Sequence, residues 1–250
     1  MKGARSARFL AVDIGNSSVK ASRWEGAWSE PVRWPSAGAN VEVWIRRFAP
    51  LADGVRRAGV ASVVPSATAA VCDAVAALTG SAPTVVSAAL PLPFRMAYAT
   101  PHTLGADRLA AAVAAHALAE GRPVVALDAG SAITTEAITA EPAYLGGAIL
   151  PGPDLLRRAL TRDTGQLPDV AWRGLATAIG NSTESAIQAG LAALLVDGVG
   201  GLVRRTRAQL GGEPRVIATG GQGAALARLL PEIDRVEPML VLEGVRLLSR

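Results

Sequence analysis

Cysteine is nearly absent from this chain of 250 residues, and its scarcity excludes two classes of protein. Cys72 is the only cysteine, and there are only two histidines. A disulfide scaffold needs paired cysteines, and a structural zinc site needs a Cys/His cluster, so neither is expected. Cys72 lies in an Ala- and Val-rich pattern with helical spacing, which predicts a small apolar residue of the core.

Long hydrophobic runs and concentrated positive charge are also lacking. No apolar run reaches membrane-spanning length, and the basic segment Met1–Arg8 leads into a stretch too short for a signal peptide. Lysine occurs only at positions 2 and 20, and the arginines behind the net charge of +4 are scattered in pairs. This pattern indicates solvated helix faces rather than a nucleic-acid surface. We therefore expect a cytoplasmic protein with no nucleic acid and no membrane as partner.

The residues that are abundant favour a compact α/β protein, because half of the chain is apolar and 26 residues are glycine. In the first part, periodicity and turn residues predict three strands up to Pro35, a helix over 41–51, a strand over 59–64, a helix to residue 78 capped by Ser66, and a strand over 84–86. In the second part, they predict a helix to residue 119, strands over 123–128, 132–139 and 143–150, helices over 154–160 and from 183 to 209, a strand over 215–219, and a last strand and helix over 236–248.

The first predicted hairpin has an unusual set of turn residues. Its apolar first strand ends at Asp13, and a second extended run follows from Val19 to Trp24. Gly15 lets a ligand approach the backbone closely, and the small polar residues 16–18 add hydrogen-bond donors. Asp13 is placed to hold a metal-bound phosphate. Taken alone, an ordinary hairpin with local side-chain hydrogen bonds explains this stretch equally well.

The same pattern recurs 115 positions later, where an apolar strand ends at Asp128 and Gly130-Ser131 follow. Recurrence at the same place after a strand favours two related halves over chance. We therefore predict two similar subdomains, 1–119 and 120–250, with a cleft between them and the two acidic turns facing each other.

Asp107 and Arg108 stand at the predicted start of an Ala-rich helix, behind a loop. A helix N-terminus attracts anions, although Asp107 also suits this position simply by complementing the helix dipole. Together with the acidic turns, the pair fits phosphoryl transfer, in which a protein positions phosphates, a divalent metal and a base. Neither a P-loop nor a dinucleotide-binding glycine motif occurs in the chain.

Six short motifs, in order along nearly the whole chain, resemble those of type III pantothenate kinases, which belong to the actin-like superfamily of acetate and sugar kinases, Hsp70 and actin. The motifs are Asp13-Ile14-Gly15-Asn16-Ser17, Gly105-Ala106-Asp107-Arg108, Asp128-Ala129-Gly130-Ser131, Gly146-Gly147-Ala148-Ile149-x-Pro151-Gly152, Ile179-Gly180-x-x-Thr183 and Ala218-Thr219-Gly220-Gly221. Each is weak alone, whereas their common order and spacing are specific.

This resemblance implies a fold and a reaction. The fold would consist of two actin-like (ribonuclease H-like) subdomains, each with a mixed β-sheet flanked by helices. The reaction would be the ATP-dependent phosphorylation of pantothenate to 4'-phosphopantothenate, the first step of coenzyme A biosynthesis. The resemblance also implies Mg²⁺ with ATP, an activating monovalent cation (K⁺ or NH₄⁺), and a homodimer with substrate near the subunit interface.

The resemblance further implies roles for individual residues. Asp107 would be the general base on the primary hydroxyl of pantothenate, Arg108 would pair with its carboxylate, and Asp128 would hold the monovalent cation. The ATP phosphates would be bound by Asp13, Ile14, Gly15, Asn16, Ser17, Ser18, Val19 and Lys20, with Ser131 also touching ATP. The pantothenate pocket would include Tyr98, Gly105, Ala106, Asp107, Arg108 and Thr183.

Several residues depart from the family pattern, and two other functions stay open. Ser17 and Ser131 replace threonines but keep the hydroxyl. The other departures are Thr100 for Asn or Asp, Ile133 for Thr, and Glu136 for an acid that is often Asp. These changes bear on cation preference more than on the reaction. The alternatives are a non-catalytic regulator of the same fold and a kinase for another small hydroxylated acid or sugar.

Overall fold

The computed structural model of this chain describes residues 8–250, so most of the basic segment 1–8 considered above lies outside the described residues. The described chain forms two compact units. Unit 1 comprises the chain up to Pro93 together with Ala99–Ala114 and Met239–Arg250, and unit 2 comprises Phe94–Tyr98 and Ala115–Pro238. The boundary at 119/120 stays a prediction.

Strands and helices alternate along the chain in the way the apolar pattern predicts. The strands are β1 (Phe9–Ile14), β2 (Ser18–Trp24), β3 (Val32–Pro35), β4 (Arg57–Ser62), β5 (Thr84–Val85), β6 (Arg95–Met96), β7 (Val124–Ala129), β8 (Ala132–Ile138), β9 (Ala143–Pro151), β10 (Arg215–Thr219) and β11 (Arg235–Val236). The helices are α1 (Val41–Ala52), α2 (Pro65–Thr79), α3 (Ala106–Leu118), α4 (Pro153–Asp163), α5 (Thr183–Ala192), α6 (Gly198–Leu210), α7 (Gly223–Ala227) and α8 (Leu240–Leu248).

The sheets of the two units repeat one topology. The sheet of unit 1 has the order β3-β2-β1-β4-β5, and that of unit 2 has the order β11-β10-β7-β8-β9-β6. In each sheet the central strand, β1 or β7, pairs antiparallel with the next strand and parallel with β4 or β10. Strands β9-β8-β7-β10-β11 therefore correspond one by one to β3-β2-β1-β4-β5. This confirms the predicted α/β fold with two similar mixed sheets flanked by helices.

The core of unit 1 is built on the apolar strand β1 and helix α1. The rings of Trp44 and Phe48 on α1 are fully buried and stack with their centroids 5.4 Å apart. Asn40 caps this helix by accepting a hydrogen bond from the backbone N–H of Val43, at 3.1 Å. The predicted cap at Ser66 is wrong, because α2 begins one residue earlier, with Pro65 in the first turn. Proline suits that position because its missing N–H would have no partner inside the helix.

The predicted long helix of unit 2 is present as α5 and α6, joined by a π-helical turn at Ala193–Asp197. It qualifies one expectation, because the helical segment Thr183–Leu210 is 28 residues long and its most apolar 18-residue window has a mean hydropathy of 1.7, which meets the criterion of length and composition for crossing a membrane. Within that segment, 44% of the most apolar window is buried in the protein. Val199 and Val203 belong to the core of unit 2 with Val125 and Leu127 of β7, and core helices meet the same criterion.

Helix α8 returns to unit 1 and packs against α3 at a point where no side chain fits. A Cβ atom on Gly244 would lie 1.9 Å from the carbonyl oxygen of Ala110. Gly59 of β4 has the same role on the sheet, since its Cβ would lie 2.7 Å from Val245 Cγ1. The glycines therefore allow α8 to contact the backbone of its neighbours.

We predict that Gly244→Ala destabilises the protein by about 1–3 kcal/mol or more, because the added methyl must displace backbone in a packed core. The measurement is urea unfolding followed by circular dichroism. Gly190→Ala is the matched control, because Gly190 also lies in a helix but has no neighbouring atom within 4 Å of its Cβ position. That variant should gain about 0.5–1 kcal/mol from helix propensity. Equal stability of the two variants would contradict the close contact.

Candidate active site

The turn between β1 and β2 places a carboxylate, an ammonium group and small polar residues together. Asp13 and Lys20 are direct cross-strand partners, so their side chains lie on the same face of the sheet. The N–H of Gly15 donates to the carbonyl of Ser18 at 3.0 Å and closes the turn. Asn16 and Ser17 are exposed at its tip. Unit 1 therefore presents an anion-binding type of turn beside an acidic residue.

Two residues outside the predicted site hold this turn in place. Ser36, which follows β3 and is buried, donates its hydroxyl to the carbonyl of Gly15. The N–H of Val63 donates to the carbonyl of Ile14 at 3.0 Å. Ser36 was not among the residues predicted from the sequence, where its only signal was its position one residue past the end of a strand.

The start of α3 carries the second predicted motif. Ala106 is the first residue of the helix, and the backbone N–H of Arg108 donates to Asp107 Oδ1 at 2.7 Å. Only 9% of Arg108 is exposed. A Cβ on Gly105 would lie 3.5 Å from Val63 Cγ1, so this motif packs on the residue that also supports the first turn. Unit 1 thus brings the turn after Asp13 and the start of α3 to a common neighbour, Val63.

Burial changes the acidity of Asp107. Its pKa is raised above the ordinary value of 3.8, chiefly because the carboxylate is desolvated. The hydrogen bond from the Arg108 backbone and the charge of Arg108 oppose this effect. A carboxylate with a raised pKa is a stronger base, as a proton acceptor in catalysis requires.

The turn between β7 and β8 in unit 2 is surrounded by glycines. A Cβ on Gly220, which has φ of +84°, would lie 2.4 Å from Asp128 Oδ1 and 2.6 Å from the carbonyl oxygen of Ala129. On the other side, the N–H of Gly152 donates to the carbonyl of Ser131 at 3.0 Å. A side chain at either glycine would collide with the turn. Unit 2 therefore brings Asp128, Ser131 and the predicted Gly220 turn together.

The oxygen atoms of these turns suit a hard cation that arrives with phosphates. Within residues 8–250, no group of three or more His, Cys, Asp and Glu side chains could hold a metal. Asp13 and Asp128 each stand beside a turn, in separate sheets. Mg²⁺ commonly takes only one or two protein carboxylates plus substrate phosphates, and carbonyl and carboxylate oxygens are the usual ligands of hard cations. The residues present fit such ions.

Two further predicted residues lie in unit 2. Tyr98 is half-buried, and its ring lies against Gly146. Thr183 is the exposed first residue of α5, where Ser182 and Ser185 form a reciprocal capping box. Helix α5 thus begins with an exposed, hydroxyl-bearing residue and a capped first turn.

Comparisons with known proteins agree with this architecture. The chain is 36% identical to the type III pantothenate kinase of Chlorobaculum parvum over 257 residues, which cover 96% of this chain and 94% of that protein. A solved structure described as a conserved putative Baf family transcriptional activator from Campylobacter jejuni superposes with a TM-score of 0.62 at 20% identity, covering 96% of each chain. The putative N-acetylglucosamine kinase of Porphyromonas gingivalis superposes with a TM-score of 0.50 at 14% identity, covering 95% of this chain and 98% of that one.

The solved structures show that the chain shares its fold with these two proteins. The sequence comparison is more specific, because the family model described as type III pantothenate kinase matches residues 9–205. The matched region contains both acidic turns, the start of α3 and the capped start of α5. Together with the full-length similarity to the Chlorobaculum parvum protein, this match shows that the chain belongs to the type III pantothenate kinase family.

Proposed function

We propose that this protein transfers the γ-phosphoryl group of ATP to pantothenate, giving 4'-phosphopantothenate and ADP in the first step of coenzyme A biosynthesis. One observation carries the proposal of phosphoryl transfer. An aspartate followed by a glycine turn ends the central strand of both sheets, at the same place in one repeated topology. The identity of the acceptor, pantothenate, is inferred from membership of the family.

In this proposal, the turn from Asp13 to Lys20 binds the ATP phosphates. The backbone N–H groups and hydroxyls of the turn donate to phosphate oxygens, and the ammonium group of Lys20 neutralises part of their charge. Ser131 contributes a further hydroxyl. Asp13 would hold the Mg²⁺ ion of MgATP, and this ion would supply positive charge to the phosphates. Serine in place of threonine at positions 17 and 131 keeps the donor that each turn needs.

Asp107 and Arg108 act on the acceptor. The Asp107 carboxylate takes the proton of the primary hydroxyl of pantothenate. At the same time the hydroxyl oxygen of pantothenate forms a bond to the γ-phosphorus, and the bond from that phosphorus to the leaving oxygen of ADP breaks. Arg108 binds the carboxylate of pantothenate, for which a planar guanidinium is well suited. Tyr98, Gly105, Ala106 and Thr183 complete the proposed pocket.

The remaining roles rest on the family resemblance. Asp128 binds a monovalent cation, K⁺ or NH₄⁺, and the carbonyl oxygen of Ala129 lies near the same glycine as its carboxylate. We also propose a homodimer and a cytoplasmic location. The exposed side chains of Leu194 and Ile179 lie on and next to the long helix, which is compatible with a second subunit packing there.

The first test is a kinase assay on the purified chain with MgATP and pantothenate, followed by ADP release and by mass detection of the product. We expect pantothenate-dependent ADP release that falls when K⁺ is replaced by a large organic cation. A non-catalytic regulator would release no ADP with pantothenate. A kinase for another acceptor would release ADP only with other members of a panel of hydroxylated acids and sugars.

The second prediction concerns the base. Asp107→Asn should lower kcat about 10²–10⁴-fold, because the hydroxyl loses its proton acceptor, while pantothenate still binds. Calorimetry measures binding, and the assay above measures kcat. Asp73→Asn is the control, because Asp73 lies exposed on α2 and should have no effect. Undiminished turnover in Asp107→Asn would remove Asp107 from this role.

The third prediction follows from the raised pKa of Asp107. Above this pKa the folded state holds a buried charge that the unfolded state solvates, so the folded state loses stability as pH rises through the interval between 3.8 and the raised value. Asp107→Asn removes that charge. Its melting temperature should therefore equal or exceed that of the wild type at pH 7, and the difference should vanish below pH 3.8.

The measurement is a series of thermal melts of both proteins across pH, with Asp73→Asn as the reference for an exposed carboxylate. A melting temperature of Asp107→Asn below that of the wild type at pH 7 would show that hydrogen bonds and the helix dipole outweigh burial at this carboxylate.

A further inference from the structure

The chain contains only two tyrosines, and both belong to one aromatic cluster in unit 2. The rings of Tyr98 and Tyr144 meet edge to face, with centroids 5.8 Å apart and an interplanar angle of 66°. Phe94 stacks on the other side of Tyr144 at 5.8 Å and 23°. Such pairs are worth about 0.5–1.5 kcal/mol beyond the area they bury. Tyr144 therefore links Tyr98 to the interior of the unit.

Tyr144 is fixed by a buried acid. Its side chain is fully buried, and its hydroxyl donates to Glu136 Oε2 at 2.5 Å. Only 1% of Glu136 is exposed. A buried carboxyl group is tolerated only where hydrogen bonds satisfy it. The ring of Tyr144 has for this reason little freedom to turn.

The segment that carries Tyr98 is attached to the same strand as Tyr144. Strand β6 pairs parallel with the start of β9, and the N–H of Ala97 donates to the carbonyl of Tyr144 at 3.0 Å. A second bond, from the N–H of Arg95 to the carbonyl of Pro142, is 2.9 Å long. Tyr98 therefore directly follows a residue whose backbone is hydrogen-bonded to the backbone of Tyr144.

Gly146 provides the surface on which the ring of Tyr98 lies. The pairing of β8 with β9 shifts between Ala137 and Ile138, so Leu145 is a bulge and Gly146 follows it with φ of +99°. A Cβ on Gly146 would lie 2.9 Å from Tyr98 Cδ2 and 3.1 Å from Cε2. Bulges of this kind re-aim side chains and are frequent beside active sites.

We propose that Glu136, Tyr144 and Gly146 are positioning residues that fix the ring of Tyr98 for contact with the acceptor substrate. This inference rests on the proposed function, which makes Tyr98 part of the pantothenate pocket. A ring held by an edge-to-face contact, a strand and a glycine surface is ordered before the substrate binds. Binding then loses less conformational entropy, and the ring selects acceptors whose apolar part fits against it.

The kinetic test is Gly146→Ala, which pushes a methyl group into the ring of Tyr98. We expect KM for pantothenate to rise roughly tenfold, since small displacements of positioning groups have large effects, while KM for ATP stays unchanged. Gly121→Ala is the matched control, because Gly121 also has a positive φ, of +81°, and has no neighbouring atom within 4 Å of its Cβ position. Both variants place alanine at a positive φ, and only at Gly146 would the new methyl group meet the ring of Tyr98. Equal pantothenate KM in both would overturn the proposal.

The structural test uses the two tyrosines directly. Incorporation of 3-fluorotyrosine gives two ¹⁹F signals, and Tyr98→Phe assigns them. We expect Gly146→Ala and Tyr144→Phe to shift or broaden the Tyr98 signal and Gly121→Ala to leave it in place. Tyr144→Phe keeps the ring but loses the bond to Glu136, so it tests the acid separately. An unchanged Tyr98 signal in the first two variants would overturn the proposal. Wild-type protein that leaves pantothenate unphosphorylated would instead overturn the proposed function, while the spectra still decide how the ring is held.

Discussion

The candidate site depends on one constraint, which is that a central strand paired on both sides carries a carboxylate one residue before its end. The backbone groups of β1 and β7 are used in hydrogen bonds to both neighbouring strands. The turn follows at once, and in each case the aspartate is the second-last residue of the strand. The first glycine N–H closes the turn, by donating to the carbonyl of Ser18 or of Ala132. The sheet thereby fixes the distance between an acidic group and a set of donors without help from any long side chain.

The two turns differ in the residue opposite the acid, and this difference separates their chemistry. Lys20 is the partner of Asp13, whereas the uncharged Thr134 is the partner of Asp128. An ammonium group attracts phosphate oxygens, so the first turn suits phosphates. The second turn, with a carboxylate and a carbonyl oxygen near Gly220, suits a cation. The family resemblance proposes the same division of roles.

Local patterns predicted most of this architecture, because each long element has its own periodicity. Helix α1, the strands β7 to β9 and the repeated acidic turn follow from apolar spacing and turn residues. The pairing of the two-residue strand β6 with β9 and the return of α8 to unit 1 were not predicted. Both are contacts between segments distant in sequence, and short strands carry almost no periodic signal of their own.

In the candidate site, too, residues in short motifs could be predicted from the sequence, whereas residues that act through contacts between separate segments could not. Asp13, Asp107 and Asp128 were predicted from the sequence because each lies two residues from a glycine in a recognisable motif. Ser36 hydrogen-bonds to Gly15, and Glu136 accepts a hydrogen bond from Tyr144. Each of these contacts joins two different strands or their ends, so no short sequence motif contains both partners. For Gly152 and Gly220, likewise, the sequence predicted only turns and not the close backbone contacts that the structure shows.

Asp107 combines two opposing effects that a proton acceptor needs. The start of a helix and the neighbouring Arg108 favour its ionised form, whereas burial favours the neutral form and dominates in raising the pKa. Without burial the carboxylate would be too weak a base, and without the helix and the arginine it would be protonated too readily. Gly105 belongs to this arrangement, because a Cβ there would lie 2.6 Å from Asp107 Oδ1, the oxygen that accepts the backbone N–H of Arg108. The four-residue motif therefore holds the acid, the groups that tune its pKa and the glycine that leaves room for its carboxylate.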